Sequence, residues 1–139
     1  MAKKPRDLER LRRRLKAIPA AVRKEVFTAL DKSADEMVAL AKVLVPEETG
    51  ALKSTIRKSP RVADFAIDIE AGGEATTKPV RDGASATYDY ALGVEYGTLA
   101  GKRPAQPFFY VSYRANRKKV RPRTRRAITK AIKATKKKG

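Results

Sequence analysis

Between Pro19 and Pro46 apolar side chains return every three or four residues, at Val22, Val26, Leu30, Ala34, Met37, Ala41 and Leu44. Such steps hold one stripe on a 3.6-residue helix, and Phe27 and Leu40 widen it. A helix this long with one apolar face needs a surface to cover it, so the rest of the chain must supply that surface. Leu8, Leu11, Leu15 and Ile18 continue the spacing among arginines. Residues 5–44 therefore read as helical, with a break near Ile18. Pro19 suits a first helical turn and Pro46 a stop.

The remaining chain changes period several times. In PEETGALKSTI, Thr49 is placed to cap a short helix whose inner face is Leu52 and Ile56. In residues 61–71, Ala63, Phe65, Ile67, Ile69 and Ala71 alternate with Asp64, Asp68 and Glu70, which predicts a half-buried strand. Residues 72–86 are rich in Gly, Thr and Pro and predict a long turn or hairpin tip, with a short strand near Thr76–Val80. Residues 87–96 fit a strand through Tyr88, Tyr90, Leu92, Val94 and Tyr96, or a short helix, and ten residues do not choose between them. Pro107 is suited to open a helix carrying Phe108, Val111 and Ala115 on one side, with a kink or break expected at Arg121–Pro122. Ala127, Ile128, Ala131 and Ile132 make a narrow stripe on a final basic helix.

These readings predict an α+β fold: a long N-terminal helix, a small antiparallel sheet, and a C-terminal helix or helices packed on the sheet. The 139 residues fit one domain. Within it we expect a basic N-terminal extension over 1–18, a core over 19–135 and a flexible basic tail over 136–139.

Charge is distributed in three blocks within a net +18. Residues 1–24 carry ten Lys/Arg against two acids, residues 25–101 carry eight against thirteen, and residues 102–139 carry fifteen against none. An acidic middle between basic ends suits an anionic partner, whether nucleic acid, an acidic protein ring or a membrane surface. No stretch of eighteen apolar residues is present, and the final helix offers only Ile128 and Ile132 as large apolar contacts, so no membrane partner is expected. The basic start is not followed by an apolar stretch with a cleavage site, which sets a cytoplasmic start as the expectation.

Little supports catalysis. The chain has no cysteine and no histidine, which removes thiolate metal sites and the usual general base. Asp35-Glu36 and Glu47-Glu48 are adjacent on the chain and point apart on a helix, so they read as solvated surface. Gly72-Gly73 lacks the Lys-Ser/Thr of a phosphate loop, and Ser54 and Ser59 have no histidine to activate them. No enzyme, cofactor or metal site is expected. Candidate contacts to DNA or to an acidic ring are Arg12, Arg13, Arg114, Arg117, Lys118, Arg121 and Arg125; the last five share a face if their helix is continuous. Such a stripe grips phosphates without reading sequence.

Residues 93–109, GVEYGTLAGKRPAQPFF, pose a separate question. An element ends at Gly97-Thr98, a small and basic loop follows, and two phenylalanines anchor the chain again. Phe108 and Phe109 read as plugs in the core, which leaves the loop exposed and held at both ends, where partner contacts tend to sit. Tyr96, Thr98, Lys102 and Arg103 are the candidate subunit-interface residues.

The segments PEETGALKSTI, YDYALGVEYGT and AQPFF, in this order and spacing, resemble the HK97 gp10-like family of tailed-bacteriophage head–tail junction and tail-completion proteins. Pro46, Thr49, Gly50, Leu52, Ser54 and Ile56 match the first motif. Tyr90, Ala91, Val94, Glu95, Gly97 and Thr98 match the second, and Gln106, Pro107 and Phe108 the third. The likeness spans roughly residues 20–135. The chain departs from it at Val111-Ser112, where members often carry Pro-Ala, and in its two basic ends. The resemblance implies a non-catalytic virion protein that forms a homo-oligomeric ring, a hexamer being favoured, in the neck or at the top of the tail. It implies neighbouring neck and tail-tube proteins as partners, and assembly in the host cytoplasm. The alternatives are a non-specific nucleic-acid-binding protein using its basic termini and an antitoxin-like or regulatory binding module.

Overall fold

The computed structural model describes residues 8–10, 12–13, 19–59, 65–98 and 103–137. Residues 8–10 and 12–13 are helical. Then come α1 (Ala20–Leu44), α2 (Ala51–Thr55), β1 (Arg57–Lys58), β2 (Ile69–Glu70), a 3-10 turn (Glu74–Thr76), β3 (Thr77–Pro79), β4 (Thr87–Asp89), α3 (Tyr90–Tyr96) and α4 (Phe109–Lys137). The fold is α+β, with the strands in two separate antiparallel pairs. Arg57 faces Glu70 and Lys58 faces Ile69 in the first; Thr77, Lys78 and Pro79 face Asp89, Tyr88 and Thr87 in the second. Among the described residues no helix is long and apolar enough to cross a membrane.

The long helix forms as the spacing predicts, with two adjustments at its ends. Pro19 caps α1 from outside with extended geometry, its carbonyl accepting from the amides of Val22 and Arg23. At the other end Leu44 is 40% exposed and Val45, just past the helix, is buried in its place. A straight helix drifts from any fixed repeat, and the chain leaves the helical path before Pro46 can resist it.

α4 is the main partner of α1 and runs antiparallel to it. Near the start of α4, Phe108 is 1% exposed and packs with Ala41, Val45, Leu52, Ile56 and Ala91. Near its end, Ala131 packs with Val22 and Val26, flanked by Leu30, Phe65 and Ile128. Between these two apolar clusters, where Ala34 and Met37 are also buried, a polar group bridges the helices. Arg123 donates to Glu36 through both terminal nitrogens, at 3.0 and 2.9 Å, and to Ser33 Oγ at 3.0 Å. The bidentate bonds from Arg123 are the leading reason that the Glu36 carboxyl sits below its ordinary value.

Glu36 and Asp35 are therefore not idle surface. Asp35 and Asp31 both pair with Lys58, at 2.7 and 2.6 Å, and tie β1 to the back of α1. The two carboxylates raise the Lys58 ammonium above its usual range.

The expected break at Arg121–Pro122 is absent. α4 runs unbroken from Phe109 to Lys137 with Pro122 inside it. Pro122 is exposed, on the face turned away from α1. There the Lys118 carbonyl that loses its amide partner can be met by water, and packing on the opposite face holds the helix together.

The ambiguous stretch 87–96 resolves into both elements, strand to Asp89 and helix from Tyr90. Asp89 makes the change. Its carboxylate accepts from Ala91 N at 2.9 Å as the cap of α3, and from Thr76 Oγ1 at 2.6 Å and Gly73 N at 2.8 Å across the hairpin. Gly72 is held so close that a Cβ there would run into the Asp89 carboxylate. The strand predicted over 61–71 is shortened to a bridge at Ala66 and β2, with 61–64 outside the described residues. Its alternation survives: Phe65, Ile67, Ile69 and Ala71 are half-buried, and Ala66, Asp68 and Glu70 are exposed. Thr49 does not cap α2. Gly50, left-handed at φ 79°, occupies that position, and Thr49 Oγ1 accepts from Ala51 N one step further in.

Burial raises the Asp89 carboxyl, but the three hydrogen bonds outweigh it and hold it below its ordinary value. A folded-state pKa below the unfolded one gives stability that is present above the unfolded value, about 3.9, and is lost as pH falls through the folded one. Glu36 acts in the same sense. The urea midpoint should stay level from about pH 8 to 5 and fall below about pH 4. Asp89→Asn should lower the midpoint at pH 7 and shrink the acid-induced fall. An unchanged pH profile in that variant would remove Asp89 from the account.

Candidate functional site

The second and third motifs meet at one carboxylate. Glu95 is 8% exposed, and its two oxygens accept the amides of Phe108 and Phe109 at 2.9 and 3.0 Å and of Tyr110 at 2.9 Å. These are amides at the start of α4, which have no partner inside their own helix. A buried carboxylate aimed at a helix N-terminus satisfies the donors and complements the helix dipole. α4 contains twelve Lys/Arg and no acid, so this charge has to come from another element.

The Gly-Thr step is part of the same join. Gly97 has φ 83°, and a Cβ there would lie 3.1 Å from Ala105 N and 3.2 Å from Arg103 O. Only glycine lets the two strands of chain pass so closely without strain. Thr98 N donates to Arg103 O at 3.1 Å, and Arg103 N donates to Thr98 Oγ1 at 2.9 Å. Gln106 N then donates to Val94 O at 2.7 Å. The loop is held at both ends, as its sequence suggested. Thr98 holds it through its own amide and hydroxyl, and its exposed side chain is already engaged within the chain.

The first motif completes the assembly. Leu52 and Ile56 lie in the same apolar cluster as Ala91 and Phe108, with Tyr90 and Val94 packed against it. Ser54 Oγ donates to Ala51 O at 2.6 Å, a bond within its own helix. A cleft of about 570 Å³ opens where the three motifs face one another. Its walls include Pro46, Thr49, Gly50 and Leu52 from the first, Tyr90, Val94 and Thr98 from the second, and Gln106 from the third. Arg103, Lys78 and Glu48 also line it. Pro107 precedes the helix it was expected to open by two residues.

Of the candidate interface residues, Tyr96 is 76% exposed and Arg103 is exposed, while Lys102 lies outside the described residues. Sequence reading missed Leu92. It lies one turn before Tyr96 on α3 and is 64% exposed, so the two form an outward apolar pair. Strand and helix readings of 87–96 both put Leu92 and Tyr96 on one face, and neither says whether that face is buried or exposed.

The cations separate into distinct places. Arg12 and Arg13 are exposed in the helical N-terminal segment. Arg114, Arg117, Lys118, Arg121 and Arg125 are all exposed along one side of the unbroken α4. Arg114 stands over the Tyr110 ring at 5.7 Å. No salt bridge reaches Arg117, Lys118, Arg121 or Arg125 among the described residues. Arg123, which no spacing or residue type sets apart from its neighbours, turns inward to Glu36.

No protein-family model matches the chain, and neither curated proteins nor solved structures yield a match.

Glu95→Ala would leave three amides without an acceptor at a largely buried helix start. It should cost about 2 kcal/mol or more, read as a lowered urea midpoint. Glu95→Gln, which keeps one acceptor oxygen, should cost less. Phe108→Ala should cost about 3–5 kcal/mol by opening the cluster that the three motifs share. A Glu95→Ala midpoint equal to wild type would mean that α4 is positioned by packing alone.

Proposed function

We propose that the chain is a structural virion protein of a tailed phage or phage-like particle. It forms a homo-oligomeric ring at the neck or the top of the tail, completes the tail and joins it to the head. The observation that carries this reading is the physical unity of the three segments that resemble the HK97 gp10-like family. Glu95 of the second motif caps the helix that the third begins, and all three pack into one cluster around Phe108. Residues that must act together to build one join are expected to occur together in a family. Their work in this chain is architectural, and no catalysis, cofactor or metal enters the reading.

The exposed pair Leu92–Tyr96 and the held loop ending at Arg103 supply the subunit contact. An apolar pair beside a basic residue is the composition expected of an interface patch. A closed ring repeats each such patch in every subunit.

A second reading rests on the outward face of α4. Arg114, Arg117, Lys118, Arg121 and Arg125 form a basic stripe with no acid in the helix, which suits non-specific contact with nucleic acid. The two readings differ in their salt response. A DNA-binding protein holds duplex alone, with log affinity falling steeply against log salt, whereas a neck protein binds particles and depends little on DNA.

Quantitative mass spectrometry of purified particles should find about six or about twelve copies per particle, counted against the tail-tube protein. Absence from particles would overturn the virion assignment. Tyr96→Ala combined with Arg103→Glu should abolish particle assembly and leave the melting temperature of the free subunit nearly unchanged. Normal particle yield from that double variant would exclude this patch as the subunit contact.

A further inference from the structure

A second concavity runs along the α1–α4 pair, away from the motif cleft. It encloses about 990 Å³ and follows α4 from Phe109 to Thr129, roughly 30 Å at 1.5 Å per residue. Its floor is apolar: Leu30 and Met37 from α1, Ile67 and Ile69 beside it, Val120 and Ile128 from α4. One rim is cationic, with Arg117, Arg121 and Arg125 at four-residue spacing, all exposed. Tyr110 and Tyr113, half-exposed with ring centroids 6.0 Å apart, stand at one end. Among the described lining residues Asp68 is the one acid.

The geometry points to this groove as the docking site for an acidic amphipathic helix of a partner protein. The apolar floor takes the partner's apolar face, and the arginines take carboxylates one helical turn apart on its flank. Tyrosine and arginine around an apolar floor are the residue types that anchor protein interfaces. Charge complementarity decides against the chain's own long segments as occupants. Residues 1–18 carry eight Lys/Arg against two acids, α4 carries no acid, and α1 is already packed on α4. Duplex nucleic acid would meet the arginines, but its phosphates have no use for an aliphatic floor. The groove's chemistry holds whether or not the chain belongs to a phage neck.

The test uses the full chain and a fluorescein-labelled 18-residue peptide of Glu, Leu and Ala, with leucines on one helical face and glutamates flanking them. A scramble of the same composition is the control. Fluorescence anisotropy in 0.15 and 0.5 M NaCl should show the amphipathic peptide binding at least tenfold tighter than the scramble. Arg121→Glu with Arg125→Glu should weaken it at least tenfold, and Arg126→Glu with Lys130→Glu, on another side of α4, less than threefold. All four residues are exposed, so circular dichroism should show unchanged folding. Equal affinity for peptide and scramble, or equal loss from both pairs of substitutions, would overturn the proposal. So would complete displacement of the peptide by an 18-base-pair duplex whose own binding needs Arg121 and Arg125, since the surface would then be a phosphate site. Dissociation of a wild-type oligomer by Arg121→Glu with Arg125→Glu would overturn it in favour of a second copy of the chain.

Discussion

The Glu95 carboxylate is the junction on which the arrangement depends. A helix with twelve cations and no acid begins with amides that need acceptors, and its own sequence supplies none. α3 reaches across with one buried side chain and accepts three of them. Because α3 is itself capped by Asp89, which also fastens the hairpin through Thr76 and Gly73, the start of α4 is referred back to the β3–β4 pair. Two carboxylates in series thus relate strand, short helix and long helix. Phe108 then enters the cluster of Ala41, Val45, Leu52 and Ile56.

Midway along α4 a different rule applies. Between the apolar clusters at both ends of the α1–α4 contact, Arg123, Glu36 and Ser33 add a polar interval beside the buried Ala34 and Met37. Small alternating apolar residues would allow α4 to slide or turn on α1 at modest cost. A bidentate guanidinium–carboxylate pair does not tolerate such a slip. The polar interval therefore sets the register of the two helices, and the clusters supply the burial.

The long helix, the alternation of 65–71 and the burial of Phe108 were legible because each follows from local spacing. Periodicity of 3.6 or 2 survives whatever the helix or strand packs against. The errors fall where a distant group decides a local outcome. Pro122 argued for a break, but the freed carbonyl faces water and α1 holds the other face. Residues 87–96 balanced strand against helix until Asp89, fixed by Thr76 and Gly73, divided them. Thr49 was the better cap by residue type, yet the turn needed a left-handed residue and Gly50 took the position. At the site, the motif residues were found from their resemblance, but the bond from Glu95 to the start of α4 spans a loop and leaves no periodic trace. Leu92 and Arg123 were missed for a related reason: exposure of one and burial of the other depend on which way a helix is turned.

The cationic surface of α4 has a further meaning for the energetics of the free chain. Among the described side chains of α4, Arg123 alone makes a salt bridge, and the other cations repel one another along a single rod. The helix is held against that repulsion by tertiary contacts at its two ends. A polyanion that settles on it offsets that repulsion, and any preference it has for the folded chain links association to folding. The chain on its own is then a loaded spring, least stable in dilute salt and firmest once its charge has been met.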